Sequence, residues 1–142
     1  MRVQDILKRK GNAVATIDPD ATIAEAVAML HGQRIGAVVV SADGVSIIGI
    51  LSERDVVGAL ATIGPGLLTT TVRRIMTAEV LTCEPDDELR KLAVIMTEKR
   101  FRHMPVTVGG RLAGIVSIGD VVKLRVDELQ TEHDQLMDYI SG

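Results

Sequence analysis

The pattern Gly-h-h-Ser-x-x-Asp, with h an apolar residue, occurs twice in the chain. The copies are Gly49-Ile50-Leu51-Ser52-Glu53-Arg54-Asp55 and Gly114-Ile115-Val116-Ser117-Ile118-Gly119-Asp120. The apolar residues predict a strand end, and Ser-x-x-Asp predicts a helix start with Ser at the cap. A capping box explains this pattern without any ligand. A helix N-terminus also offers free N–H groups and the positive end of a dipole, which attract phosphate. A carboxylate there can accept hydrogen bonds from both hydroxyls of a ribose, and the Ser hydroxyl can reach sugar or phosphate. At the level of the motif both readings stand.

The densest basic stretch is Lys99-Arg100-Phe101-Arg102-His103. It reads either as a solvated helix end, where cations are favoured, or as a phosphate clamp, because Arg matches phosphate oxygens bidentately. Arg54 lies inside the first motif and can join such a clamp. Catalytic alternatives find little support. Cys83 sits in the strand-like Val80-Leu81-Thr82-Cys83 and reads as a packed thiol. His31, His103 and His133 are not at metal-ligand spacing to one another or to Cys83, so no metal is expected. A Ser117–His103–Asp120 triad puts Ser and Asp within one helical turn, without the strained turn that exposes a nucleophile.

The elements that must position these residues are themselves repeated. Thr16, Pro19-Asp20 and Asp55 recur as Thr82, Pro85-Asp86 and Asp120, with a single residue's difference in spacing. Each unit predicts strand, helix, strand, strand, helix, an α+β (α/β) arrangement. Ile23, Ala26, Val27 and Leu30, and then Leu89, Leu92, Ala93 and Met96, have the spacing of an amphipathic helix. Ala37–Val40 predicts a strand, Asp43-Gly44 a hairpin, and residues 46–51 the return strand. The second unit repeats this with residues 104–108, Gly109-Gly110 and residues 112–116. Pro105 cannot donate to a ladder, so its strand should lie at an edge or begin near it. Short helices are expected at Val3…Leu7 and Val72…Met76, ahead of the units. The breaker Thr62-Ile63-Gly64-Pro65-Gly66 separates the units, giving divisions at residues 1–66, 67–126 and 127–142.

Composition limits the function classes. The chain has 142 residues, 46% hydrophobic and 25% charged, which suits a globular fold. The net charge of −3 and the aromatic content of 1% argue against nucleic-acid binding, by charge and by stacking respectively. One cysteine excludes an internal disulfide and suggests the cytoplasm. The first residues meet Asp5 before any apolar run, unlike a signal peptide, and no run is long enough to span a membrane. After the second motif, Val122, Val126, Leu129, His133, Leu136 and Ile140 form a heptad-spaced stripe on an acidic helix extending to the C-terminus. The stripe either folds back on its own domain or meets a second copy.

The duplicated unit, with Leu51-Ser52-Glu53-Arg54-Asp55 and Arg102-His103-Met104-Pro105-Val106, resembles a tandem pair of cystathionine-β-synthase (CBS) domains over about residues 3–126. The resemblance implies a Bateman module: two units packed about a pseudo-two-fold axis, leaving two clefts. It further implies that the clefts bind adenosyl ligands (AMP, ADP, ATP, NAD or S-adenosylmethionine) and that the chain is a non-enzymatic sensor. The motif Asp would grip ribose, apolar strand residues would flank adenine, and basic residues would meet phosphate. Carried over, one site comprises Ser117, Asp120, Arg102, His103, Met104, Pro105 and Ile115. The other comprises Ser52, Asp55, Arg54, Ala37, Val38, Ile50 and Thr16. The positions matching Arg102 and His103 in the first unit are Gly36 and Ala37, so the Asp120 site is expected to be the stronger. A homodimer and a separate regulated protein are the expected partners. The rival reading is a structural or interaction module with vestigial clefts.

Overall fold

The computed structural model describes residues 1–142. Helix α1 (Val3–Lys10) precedes the first unit, which runs β1 (Thr16–Ile17), α2 (Ile23–Gln33), β2 (Ala37–Val40), β3 (Gly49–Ser52) and α3 (Glu53–Ile63). A 3-10 turn (Gly64–Thr69) leads into α4 (Val72–Ile75). The second unit follows with α5 (Leu89–Lys99), β4 (His103–Val108), β5 (Arg111–Ser117) and the long α6 (Ile118–Ser141). β1 pairs parallel with β2 across the α2 crossover, and β2 pairs antiparallel with β3. β4 and β5 form the matching antiparallel pair.

Local chemistry sets these boundaries. Thr22 caps α2 in a reciprocal box with Glu25, at 3.2 and 3.1 Å. Helices α2 and α5 end on Arg34 and Arg100, both left-handed, with φ of 55° and 59°. Gly109 and Gly110, both at positive φ, close the tight β4–β5 hairpin.

Two sequence expectations need correction. The return strand begins at Gly49 rather than Ser46. The Asp43 carboxylate instead accepts the Val45 and Ser46 amides at 2.8 and 2.7 Å, and this local knot competes with the ladder. In the second unit the early strand shrinks to a bridge between Cys83 and Val106. Cys83 N–H donates to Pro105 O, and Thr107 N–H donates to Cys83 O. The next rung toward Leu81 requires an N–H from residue 105, and proline has none.

The chain divides in sequence, but its packing crosses. Val3, Ile6 and Leu7 of α1 are buried with Leu89, Leu92, Met104, Val116 and Leu124 in the core of the second unit. Val72 of α4 is buried with Ile23, Leu30, Val38 and Leu51 in the core of the first. Backbone bonds repeat the exchange. Val3 N–H donates to Asp87 O and Gln4 N–H to Pro85 O, while Val72 N–H donates to Ala21 O and Arg73 N–H to Pro19 O. Each leading helix therefore docks on the Pro corner of the opposite unit. Both cores consist of aliphatic and sulfur side chains, as the aromatic-poor composition requires.

Beyond Leu124, α6 leaves the second core. At 1.5 Å per residue its 24 residues extend about 36 Å. Val126 (57% exposed), Leu129 (48%), Leu136 and Ile140 remain open, so the stripe does not fold back on its own domain. No helix is long and apolar enough to cross a membrane.

Candidate ligand site between the two units

Ser52 and Asp55 form a capping box. The Asp55 amide donates to Ser52 Oγ at 3.2 Å, and the Ser52 amide donates to Asp55 Oδ2 at 2.9 Å. Thr77, just past α4, donates to Asp55 Oδ1 at 3.4 Å. A carboxylate has about four acceptor positions, so capping leaves Asp55 with capacity for a ligand. The two readings of the motif are thus compatible.

Asp55 opens into a cavity of about 510 Å³. Ile50, Ser52, Glu53, Arg54 and Val57 line it from the first unit, and Arg100, Phe101, Arg102 and His103 from the second. The volume falls within the ordinary range for small-molecule pockets, about 300–1,000 Å³. Arg54, Arg100 and Arg102 give it the donors an anion needs. Arg100 holds the left-handed conformation that glycine adopts at least cost.

His103 reaches the cavity because Gly36 faces it. A Cβ at residue 36 would lie 3.1 Å from His103 Cε1. The glycine that deprived the first unit of its own basic pair is what admits the histidine of the second. Burial lowers the His103 pKa below its ordinary 6.5, and the Lys10 charge adds to this against the pull of Asp120 and Glu53.

The Asp120 motif has the same cap, with the Asp120 amide donating to Ser117 Oγ at 3.1 Å and the Ser117 amide to Asp120 Oδ2 at 2.9 Å. The Lys10 ammonium also donates to Asp120 Oδ2, at 2.7 Å. Burial pulls the Asp120 carboxyl upward, but the bonds from Lys10 and the Ser117 amide prevail and hold it below its usual value. The cavity here is about 210 Å³, between α1 and α6, lined by Ile6, Arg9, Lys10, Asp120, Lys123 and Leu124.

The structure adds to the sequence grouping: His103 stays within electrostatic reach of Asp120 and also faces the other motif. Arg102 and His103, assigned to Asp120, line the cavity of Asp55 together with Ser52, Arg54 and Ile50. Basic residues at a β4 start face across the unit boundary, which a repeat alignment does not reveal. Ala37 and Val38 are buried in β2, Met104 and Pro105 in β4, while Thr16 and Ile115 are partly buried in β1 and β5. None of these six lines either cavity. Thr77, Lys10 and Gly36 were missed. The repeated leading helices were the available signal for the first two, once each is docked on the opposite unit.

Other chemistry is limited by geometry. Ser117 Oγ is engaged by the Asp120 amide and Asp120 by Lys10, so no Ser–His–Asp relay is assembled. Burial pushes the Cys83 thiol up to about 12, which keeps it protonated. No cluster of three or more His, Cys, Asp or Glu is arranged to hold a metal ion.

The model of the CBS domain matches residues 3–62 and again 72–127. The chain is similar to the crystal structure of the CBS-domain containing protein ATU1752 from Agrobacterium tumefaciens: TM-score 0.85 and 50% identity, over 88% of this chain and 99% of that one. It is also similar to the CBS domain pair of protein MJ0100, solved in complex with 5-methylthioadenosine and S-adenosyl-L-methionine (TM-score 0.78, 26% identity, 90% and 98% coverage). A third likeness is to the CBS domain protein PAE2072 from Pyrobaculum aerophilum, complexed with AMP (TM-score 0.74, 28% identity, 84% and 89% coverage).

Proposed function

We propose that this chain, which belongs to the CBS domain family, is a regulatory binding module for an adenine nucleotide seated in the Asp55 cavity. One observation carries the reading. A ribose-competent carboxylate and three arginines from two units converge on one cavity of small-molecule size. Asp55, Ser52 and Thr77 would meet the ribose, Ile50 and Val57 the base, and Arg54, Arg100 and Arg102 the phosphates. The AMP held by the Pyrobaculum protein and the adenosyl ligands held by MJ0100 support the ligand class. The arginines favour AMP, ADP, ATP or NAD over S-adenosylmethionine, whose sulfonium is a cation.

The module is read as non-enzymatic and cytoplasmic. Because the cavity is built from both units, occupancy favours one relative arrangement of them, provided the ligand binds that arrangement more tightly. A separate protein would receive the change. The exposed stripe of α6, with Val57, Leu60 and Ile63 on α3, supports a homodimer.

The test is calorimetry with AMP, ATP, NADH and S-adenosylmethionine, alongside thermal unfolding. A ligand at 100 times its Kd adds about 2.7 kcal/mol of stability. Binding that Asp55→Ala removes supports the reading. No binding and no shift with any of the four favours a structural module with vestigial clefts.

A further inference from the structure

Two leading helices occupy equivalent places, and a residue at or just past the end of each reaches one of the two motif carboxylates. Thr77, beyond α4, touches Asp55 with a hydroxyl at 3.4 Å. Lys10, at the end of α1, touches Asp120 with an ammonium at 2.7 Å. One motif carboxylate is thus met by a long contact from a neutral donor, and the other by a short contact from a cation. The ammonium adds the attraction of a full opposite charge, which the neutral hydroxyl of a ribose lacks, so a ribose competes poorly for Asp120.

Lys10 is also held in position. Val3 and Ile6 are buried in the second core, and Leu7 packs so closely on Gly114 that a Cβ there would lie 2.8 Å from Leu7 Cδ2. Arg9 pairs with Asp127 of α6 at 2.6 Å. The ammonium is therefore delivered by a docked helix rather than by a free tail, and ordering it costs little beyond the fold itself. The space agrees with the charge. The cavity that Asp120 lines lies between α1 and α6 and, at about 210 Å³, falls below the usual range for small-molecule pockets, whereas the Asp55 cavity, about 510 Å³, falls within it. Gly119 stands where the first motif has Arg54, so the cations beside Asp120 (Arg9, Lys10 and Lys123) come from α1 and the body of α6 rather than from the motif itself.

We propose that Lys10 is a built-in occupant of the Asp120 cleft: it closes one of two equivalent sites, so each chain takes a single nucleotide, at Asp55. Lys10 thereby determines the stoichiometry of the module and which of its two units supplies the ribose carboxylate. This rests on the nucleotide reading of the Asp55 cavity.

The experiment is calorimetric titration of the full chain with AMP and with ATP, comparing wild type, Lys10→Ala, Lys10→Met, Lys10→Ala with Asp120→Ala, and Asp55→Ala. Wild type is expected to bind one equivalent, lost in Asp55→Ala. Lys10→Ala is expected to bind two, and the double variant one again. Lys10→Met removes the charge but keeps most of the volume, and it guards against a folding defect peculiar to the alanine. A second equivalent in either Lys10 variant supports the inference. A single Asp55-dependent equivalent in wild type and in both Lys10 variants overturns it while leaving the nucleotide reading intact. Two equivalents in wild type overturn it as well. No heat from any protein overturns the nucleotide reading and this inference together.

Discussion

A Cβ placed on Gly36 would stand 3.1 Å from Cε1 and 3.2 Å from Nε2 of His103, tighter than ordinary van der Waals contact. Gly36 belongs to the first unit and His103 to the second, so the absence of a side chain at one fixes where the other can point. Gly36→Ala forces the imidazole to shift by a few tenths of an ångström. Overpacking of this kind costs about 1–3 kcal/mol where neighbours cannot yield, and less here because a partly buried ring can move. The expected outcome is a several-fold loss of AMP affinity with a small fall in melting temperature. Unchanged affinity measured by calorimetry would show that His103 takes no part in the cavity.

Asp55 serves a cap and, on the proposed reading, a ribose, and two substitutions separate these roles. Asp55→Asn keeps an oxygen for the Ser52 amide, so its stability should stay near wild type. Asp55→Ala loses that bond, at a cost of about 0.5–1.5 kcal/mol in unfolding free energy. Both remove the anionic acceptor, so both should weaken AMP binding by tenfold or more. Arg102→Ala should weaken ATP more than adenosine, because only the former presents phosphate. Equal losses for the two ligands would place Arg102 away from the phosphates.

The repeat, the strand–helix–strand–strand–helix order and the two capped motifs were legible because each rests on local signals: apolar periodicity, turn residues and a Ser-x-x-Asp spacing. What failed was non-local. Pro105 lay within a strand that sequence reading allowed, but its missing N–H also erased the rung that would have extended the Cys83 bridge toward Leu81. Arg102 and His103 were assigned to the motif of their own unit; His103 does lie within electrostatic reach of Asp120, but the two residues also line the Asp55 cavity across the boundary, which the repeat alone does not show. For Lys10 the repeated leading helix was the only hint, and its meaning depends on α1 docking against the opposite half of the chain.

His103 makes the protein sensitive to mild acid. Burial, and then the Lys10 charge, lower its pKa in the fold below the ordinary 6.5. A lowered base binds fewer protons folded than unfolded, so stability is full above 6.5 and is lost as pH falls toward the folded value. The carboxylates Asp120 and Glu128, also lowered, lose their contribution only at much more acid pH. Between pH 7 and pH 5.5 the fall in melting temperature should therefore be smaller in His103→Gln than in wild type. A phosphate beside the imidazole pulls the pKa back up, so nucleotide binding near pH 6 should take up protons. Calorimetry in buffers of different ionisation heat reads that uptake, and none is expected in His103→Gln.

The apolar stripe of α6 has no partner within the chain. Leu129 and Leu136 stand on it, one heptad apart, roughly half exposed. A charge at either position costs the isolated chain little, because water already reaches it, but it costs a helix–helix seam the desolvation of an unpaired carboxylate. Around them Asp127, Glu132, Asp134 and Asp138 crowd the same helix, so two copies meeting along this segment would repel each other. Leu129→Glu should convert the proposed dimer to a monomer by light scattering while leaving the circular dichroism unchanged. Raising the salt concentration should strengthen the proposed dimer by screening the acidic helices. A wild-type chain that is monomeric at high concentration would overturn the homodimer reading.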